Sequence, residues 1–70
     1  MTTSYDAVQA LVNVAKAEHT RIKLRIAAVE GLGYAGGFEA RTALVELLVD
    51  QREPDLQEAV ARALGHAARE

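Results

Sequence analysis

Apolar residues recur at spacings of three and four along most of the chain, which is the pattern of amphipathic helices. The third such segment carries one stripe, made of Ala40, Leu44, Leu47 and Leu48. The first segment carries a matching stripe, made of Ala7, Leu11, Val14 and Ala15. The second segment carries two stripes, Leu24–Ala28–Leu32 and Ile22–Ile26–Val29, so we expect neighbours on two of its sides. The pattern predicts four helices, at about 5–18, 21–34, 38–50 and 54–68.

Polar residues, glycines and one proline mark the predicted helix ends. Ser4 and Thr20 precede the first two helices and are the expected N-caps. Pro54 suits the first position of the fourth helix, where a backbone N–H is not needed. The pair 36–37, two glycines, can supply the left-handed residue that stops the second helix. Because all links are short, neighbouring helices are expected to pack antiparallel.

The chain also contains an internal repeat. Residues 5–15 align with 38–48 at an offset of 33, and 24–33 align with 56–65 at an offset of 32. Tyr5 meets Phe38, and the identical pairs include Ala7/Ala40, Ala10/Ala43, Val12/Val45, Leu24/Leu56, Ala27/Ala59, Leu32/Leu64 and Gly33/Gly65. The difference of one residue falls in a loop, as is usual between homologous units. The unit is therefore a two-helix hairpin that is used twice.

The segment "LRIAAVEGLGYAGGFEARTALVELLVDQREPDLQEAVARALG" (24–65) resembles the short HEAT-like repeats of the phycobilisome-lyase type. Those repeats pair a V-R-x-x-A-A-x-A-L-G helix with an L-x-x-L-L-x-D helix. Arg25 matches their arginine, whereas the second copy has Gln57. The resemblance implies an all-α fold: two antiparallel helical hairpins stacked as a short HEAT-like α-solenoid, with residues 1–70 as a single repeat domain. On the outer side of the fourth helix the second stripe becomes Pro54, Glu58 and Ala61, which is typical of a terminal helix.

Residues 31–36, "GLGYAG", have the G-x-G-x-x-G spacing of a dinucleotide-binding loop. Such a loop must follow a buried strand and open a helix, but this segment follows a predicted helix. The resemblance gives Gly33 a role in helix packing, where the missing Cβ lets backbones approach. We therefore favour packing and a turn over phosphate binding, and keep a nucleotide or small ligand at residues 31–37 as an alternative.

Composition and charge narrow the function classes. The 70 residues include no cysteine and only 4% aromatic residues, and the net charge is −2. Nucleic-acid binding through Arg21, Lys23, Arg25 and Arg41 is thus a second, less favoured alternative. The chain has neither a long apolar run nor a signal-peptide pattern, so the expectation is a cytoplasmic protein without a membrane span.

No catalytic, cofactor or metal constellation is visible in the sequence. His19 and His66 have no ligand partner at helical spacing and are expected at the surface. Asp6, Glu39 and Asp55 fall in predicted first turns, where the helix dipole favours a carboxylate. The sequence therefore predicts no enzymatic activity, no cofactor and no metal. Some long HEAT-like proteins are chromophore lyases and others bind damaged DNA, but the residues that match here are the packing ones.

The remaining hypothesis is a noncatalytic protein-interaction or scaffold module, acting as a homodimer or as an adaptor on a larger bacterial protein. Five apolar residues flank the first and third helices: Tyr5, Val12, Phe38, Val45 and Val49. They either pack between helices or form an exposed apolar patch, and the second case would make a docking surface. Five outward residues of the same helices would line its concave side: Gln9, Asn13, Lys16, Thr42 and Glu46.

Overall fold

The computed structural model describes residues 3–69, and it arranges them in four α-helices. These are α1 (Ser4–Lys16), α2 (Ile22–Ala35), α3 (Gly37–Asp50) and α4 (Pro54–Ala67), and the described residues include no strand. Each end lies within two residues of its predicted position. The predicted all-α fold is confirmed.

The helices form two hairpins, α1–α2 and α3–α4, that lie side by side. The main contact between the hairpins is made by α2 and α4, and smaller ones are made by α2 with α3 and by α1 with α3. The result is a flat two-layer stack of 32 × 25 × 16 Å, with α1 and α3 in one layer and α2 and α4 in the other. The sides of α1 and α3 that point away from the other layer are exposed.

Aliphatic side chains of all four helices fill the space between the layers. The largest fully buried side chains are Leu32, Leu44, Leu47, Leu56, Val29 and Val60. Burying one such side chain stabilises the fold by roughly 1.5–3 kcal/mol. Because the chain has no disulfide, this small core and the backbone hydrogen bonds of the helices carry most of the stability.

Three residues of the predicted apolar stripes are exposed, contrary to the helical pattern. Ala7 and Leu24 lie on the first hairpin, and Leu48 lies on the second. Their helices present these positions to the two ends of the stack, beyond which the described residues place no further helix. Periodicity identifies the side of a helix that can be covered, but whether it is covered depends on the next hairpin.

Two predicted N-caps are wrong. In α1 the cap is Thr3 rather than Ser4: Asp6 N donates to Thr3 Oγ1 at 3.1 Å, and Thr3 N donates to Asp6 Oδ2 at 3.3 Å. This reciprocal capping box needs a hydroxyl three residues before the acid, a spacing that Thr3 has and Ser4 lacks. In α2 the cap is Arg21 rather than Thr20, and it makes no side-chain bond. Pro54 opens α4 as predicted.

Matching side chains of α2 and α4 hold the ends of the helices that precede them. Arg25 is buried, and its Nε donates to the carbonyl of Ala15 in the last turn of α1 at 2.9 Å. Gln57, its counterpart, donates from Nε2 to the carbonyl of Gln51 at the end of α3 at 2.5 Å. The carbonyls of a helix end have no partner within the helix, so these bonds fix each hairpin's corner. The Arg-to-Gln departure between the repeats therefore preserves the contact.

A pair of glycines replaces a loop between the hairpins. Gly36 ends α2 and also caps α3, and it has φ 64°. Gly37 follows with φ 82°. Side chains other than hydrogen strongly disfavour positive φ, so the predicted role of this pair in stopping the second helix is confirmed. This turn lets α3 begin directly after α2 and lie beside α1.

Candidate interaction surface

The outward sides of α1 and α3 enclose a shallow depression of about 230 Å³, which we call the inter-helix groove. It lies where the two helices run side by side, so each helix contributes one wall. Its lining residues are Gln9, Val12, Lys16, Phe38, Glu39, Thr42, Ala43 and Glu46. Six of the ten predicted interaction residues are thus brought together at one place.

An ion pair crosses the inter-helix groove. Lys16 Nζ of α1 lies 2.6 Å from Glu46 Oε1 of α3. Both side chains are about half exposed, so water and salt screen the pair and its contribution is small, in the range of about 0–1 kcal/mol. The pair therefore gives the groove polar character at this point without locking the two helices together.

A second depression of about 440 Å³ lies on the other side of α3, which we call the edge groove. Its walls are mainly apolar and come from α3 and from one residue of α4. The lining residues are Phe38, Arg41, Thr42, Val45, Glu46 and Leu64. Phe38 lines both grooves and is 72% exposed, so a large aromatic side chain stands in water between them.

The five apolar residues among the predicted interaction residues divide between the two interpretations. Val12 is half-buried and packs against the core, as in the packing interpretation. Tyr5, Phe38, Val45 and Val49 are exposed, as in the patch interpretation. Tyr5, Val49 and Asn13 are exposed but line neither groove.

Four groove residues were missed by sequence reasoning: Glu39, Arg41, Ala43 and Leu64. Ala43 and Leu64 align with Ala10 and Leu32 and were interpreted as packing positions only. Arg41 aligns with Val8, and this change from apolar to charged was the available signal that the position is less covered in the second repeat. Glu39 is in the first turn of α3, as predicted. Its role beside the helix N-terminus gave no indication that it also lines the inter-helix groove.

The glycine segment 31–37 is not a phosphate loop. Gly31 and Gly33 lie within α2, and the space that their side chains would occupy is already filled. A Cβ on Gly33 would lie 2.9 Å from Cα of Ala63, and one on Gly31 would lie 3.2 Å from a methyl group of Leu11. The predicted packing role of Gly33 is confirmed, and Gly31 and Gly33 face neighbouring helices rather than a nucleotide.

The basic residues of the nucleic-acid alternative do not share one surface. Arg25 is buried against α1, and Arg41 lies in the edge groove on α3.

His19 is exposed in the α1–α2 link, and His66 is exposed and stacks on Tyr34 with ring centroids 5.8 Å apart. Among residues 3–69 there is no cluster of three His, Asp or Glu side chains that could hold a metal ion. None of the four described helices has the length and apolar content that crossing a membrane requires.

Two stacked antiparallel hairpins with equivalent residues at equivalent positions define a short α-solenoid. The family model for HEAT repeats matches residues 8–69, and the chain belongs to this family. HEAT repeats are generally noncatalytic and are commonly protein-interaction scaffolds. No curated protein and no solved structure matches the chain.

Proposed function

We propose that this chain is a noncatalytic adaptor that binds protein through the α1/α3 surface. The observation that carries the proposal is the position of Phe38. Its ring is largely exposed and lines both grooves, so one side chain borders two concave surfaces. Aromatic residues at the centre of a contact area supply much of the binding energy of protein interfaces.

The surroundings of Phe38 have the mixed character of such an interface. Val45 provides apolar area in the edge groove, and Thr42 and the Lys16–Glu46 pair provide donors and acceptors. An apolar centre with a polar rim is the usual anatomy of a protein-binding patch. The grooves run along the helices, so an extended or helical segment of a partner fits them better than a compact small molecule.

Within the HEAT family we propose the phycobilisome-lyase-type subgroup for these repeats. The support is the pattern of matching residues, in which Arg25 and Gly33 both have structural roles. Arg25 donates a hydrogen bond to the end of α1, and the missing side chain of Gly33 allows the backbone of α4 to pack closely. The proposal concerns the repeat type, and no lyase chemistry is part of it.

A displayed library of random peptides, each of about 16 residues, tests the adaptor proposal. The library is selected on the wild-type protein, and the binders are then titrated against Phe38→Ser and Tyr34→Ser. Tyr34 is a matched control because it is an exposed aromatic residue on α2 that lines neither groove. We expect binders that keep their affinity for Tyr34→Ser and lose about tenfold or more on Phe38→Ser, which corresponds to about 1.4 kcal/mol.

The location of binding is read independently from amide chemical shifts. Peptide-induced shifts should be concentrated in α1 and α3 rather than in α2 and α4. A library that yields no binder, or binders that do not distinguish the two variants, would contradict the proposal.

A further inference from the structure

Some residues that are buried in the first repeat have counterparts in the second repeat that are more exposed. These counterparts lie on the side of the second hairpin that faces away from the first. In the first repeat Ala15 and Leu32 are fully buried in the core that the two hairpins share. Their counterparts at offsets of 33 and 32 are Leu48, which is 39% exposed, and Leu64, which lines the edge groove. The second repeat thus presents the surface that the first repeat uses to receive a hairpin, and none of residues 3–69 covers it.

The glycines show the same relationship at the level of single atoms. Gly33 receives the backbone of Ala63 from the next hairpin, whereas a Cβ on its counterpart Gly65 would meet no atom within 4 Å. Val12 of the first repeat packs against the core, whereas its counterpart Val45 is 51% exposed. We call the open surface, made of Val45, Leu48, Leu64 and Gly65, the trailing face.

The opposite end of the stack shows the complementary half of the contact. Four residues of the second repeat that are almost completely buried have identical but exposed counterparts in the first repeat. The pairs, buried member first, are Ala40/Ala7, Ala43/Ala10, Leu56/Leu24 and Ala59/Ala27. Leu24 is 47% exposed where Leu56 is fully buried. We call the surface made of Ala7, Ala10, Leu24 and Ala27 the leading face.

We propose that a second copy of this chain stacks head to tail on the first, its leading face on the trailing face, and so repeats the junction between the two hairpins. This inference rests on the proposed function, since it names one partner for the edge groove. The argument is the self-complementarity of the two ends: both halves of an interface that already exists inside the molecule are present and exposed. The contact is heterologous, so it leaves one free face at each end and extends into open chains.

The more polar outer side of α4 limits the strength of this contact. Pro54, Glu58 and Ala61 are exposed beside the trailing face, and their counterparts in the first repeat are Ile22, Ile26 and Val29. The second copy therefore buries less apolar area than the second hairpin does within the chain. We expect association that is weak and that increases with concentration.

Complementation between two blocked variants tests the head-to-tail arrangement. Val45→Asp blocks the trailing face, Ala27→Arg blocks the leading face, and both sites are exposed enough for the fold to accept the change. Masses are measured by light scattering from about 5 µM to about 500 µM, a range that detects weak association. Lys23→Glu, exposed on α2 and outside both faces, is the control.

We expect the average mass of the wild type and of Lys23→Glu to rise with concentration, without stopping at a dimer. Each blocked variant should stay at the 7.5 kDa of one chain, and the average mass of an equimolar mixture of the two should rise with concentration toward twice that value and go no further. Val45→Arg and Ala10→Arg serve as second blocking variants if a first one fails to fold by circular dichroism.

Two results would overturn the inference. One is a wild type that stays monomeric over the whole range. The other is a wild type that associates while the mixture of blocked variants remains monomeric, because a symmetric contact would then be in use. Neither result affects peptide binding that depends on Phe38, so failure of this inference can be distinguished from failure of the adaptor function.

Discussion

Cα of Ala63 in α4 lies 2.9 Å from the position that a Cβ on Gly33 of α2 would occupy. The same Cβ would lie 3.0 Å from the carbonyl oxygen of Ala63, so both neighbours belong to backbone that cannot turn aside. The closest approach of the two hairpins thus depends on the absence of a side chain at one position. The matched glycine of the second repeat, Gly65, has no such neighbour.

This difference predicts opposite effects of the same substitution at two aligned glycines. Gly33→Ala should destabilise the fold by about 1–3 kcal/mol, because overpacking outweighs a gain of up to about 1 kcal/mol in helix propensity. Gly65→Ala should stabilise by up to about 1 kcal/mol, because only the propensity term applies. Urea denaturation followed by circular dichroism measures both. Equal effects would show that the hairpins do not approach as closely as described.

The buried Arg25 predicts a graded response to substitution. Its Nε holds the Ala15 carbonyl, while its Nη2 is buried without a hydrogen-bond partner among the described residues. Arg25→Ala should cost about 2–4 kcal/mol, since it removes both the packed side chain and the bond. Arg25→Met keeps most of the apolar stem and removes the unpaired donor as well, so its cost should be smaller, about 1–2 kcal/mol.

Gln57→Ala provides the comparison at the matching position of the second repeat. Its hydrogen bond to Gln51 is only partly buried, so we expect a loss of about 1 kcal/mol. The three variants are compared by their midpoints in urea. A loss for Arg25→Met as large as that for Arg25→Ala would mean that the hydrogen bond, rather than the packing of the stem, dominates.

Most of the fold was predictable because local rules and the repeat agree. Leu44 and Leu47 are buried as the helical spacing requires, and Pro54 begins a helix as its missing N–H requires. The repeat alignment added the packing role of Gly33. What could not be predicted is which stripe positions lie at an open end: Leu24 and Leu56 are the same residue in the same pattern, and only the preceding hairpin makes one exposed and the other buried.

The proposed interaction surface was predictable in part for a related reason. Helical spacing places Gln9, Thr42 and Glu46 on outward faces, and these positions indeed line the inter-helix groove. Leu64 escaped prediction because its counterpart Leu32 is a core residue. The contribution of α4 to the edge groove depends on how the helices are placed in space, which a linear pattern does not contain.

The capping box of α1 predicts different costs for two adjacent hydroxyl residues. Thr3→Ala removes the acceptor for Asp6 N and should cost about 0.5–2 kcal/mol. Ser4→Ala leaves the box intact and should change stability by no more than about 0.5 kcal/mol. Thermal or urea unfolding of the two variants distinguishes them. A larger loss for Ser4→Ala would restore Ser4 as the cap.

The aligned residues Val12 and Val45 should respond differently to substitution by aspartate. Val12→Asp places a carboxylate on a side chain that packs against the core, and we expect a loss of about 2–4 kcal/mol from lost packing and desolvation of the charge. Val45→Asp places the same group on a half-exposed site, where water solvates it, so the loss should stay below about 1 kcal/mol. Helicity at 25 °C and the midpoint in urea give both values. A Val45→Asp protein that loses as much stability as Val12→Asp would show that Val45 is covered within the single chain. Val45 could then not contribute to an exposed trailing face.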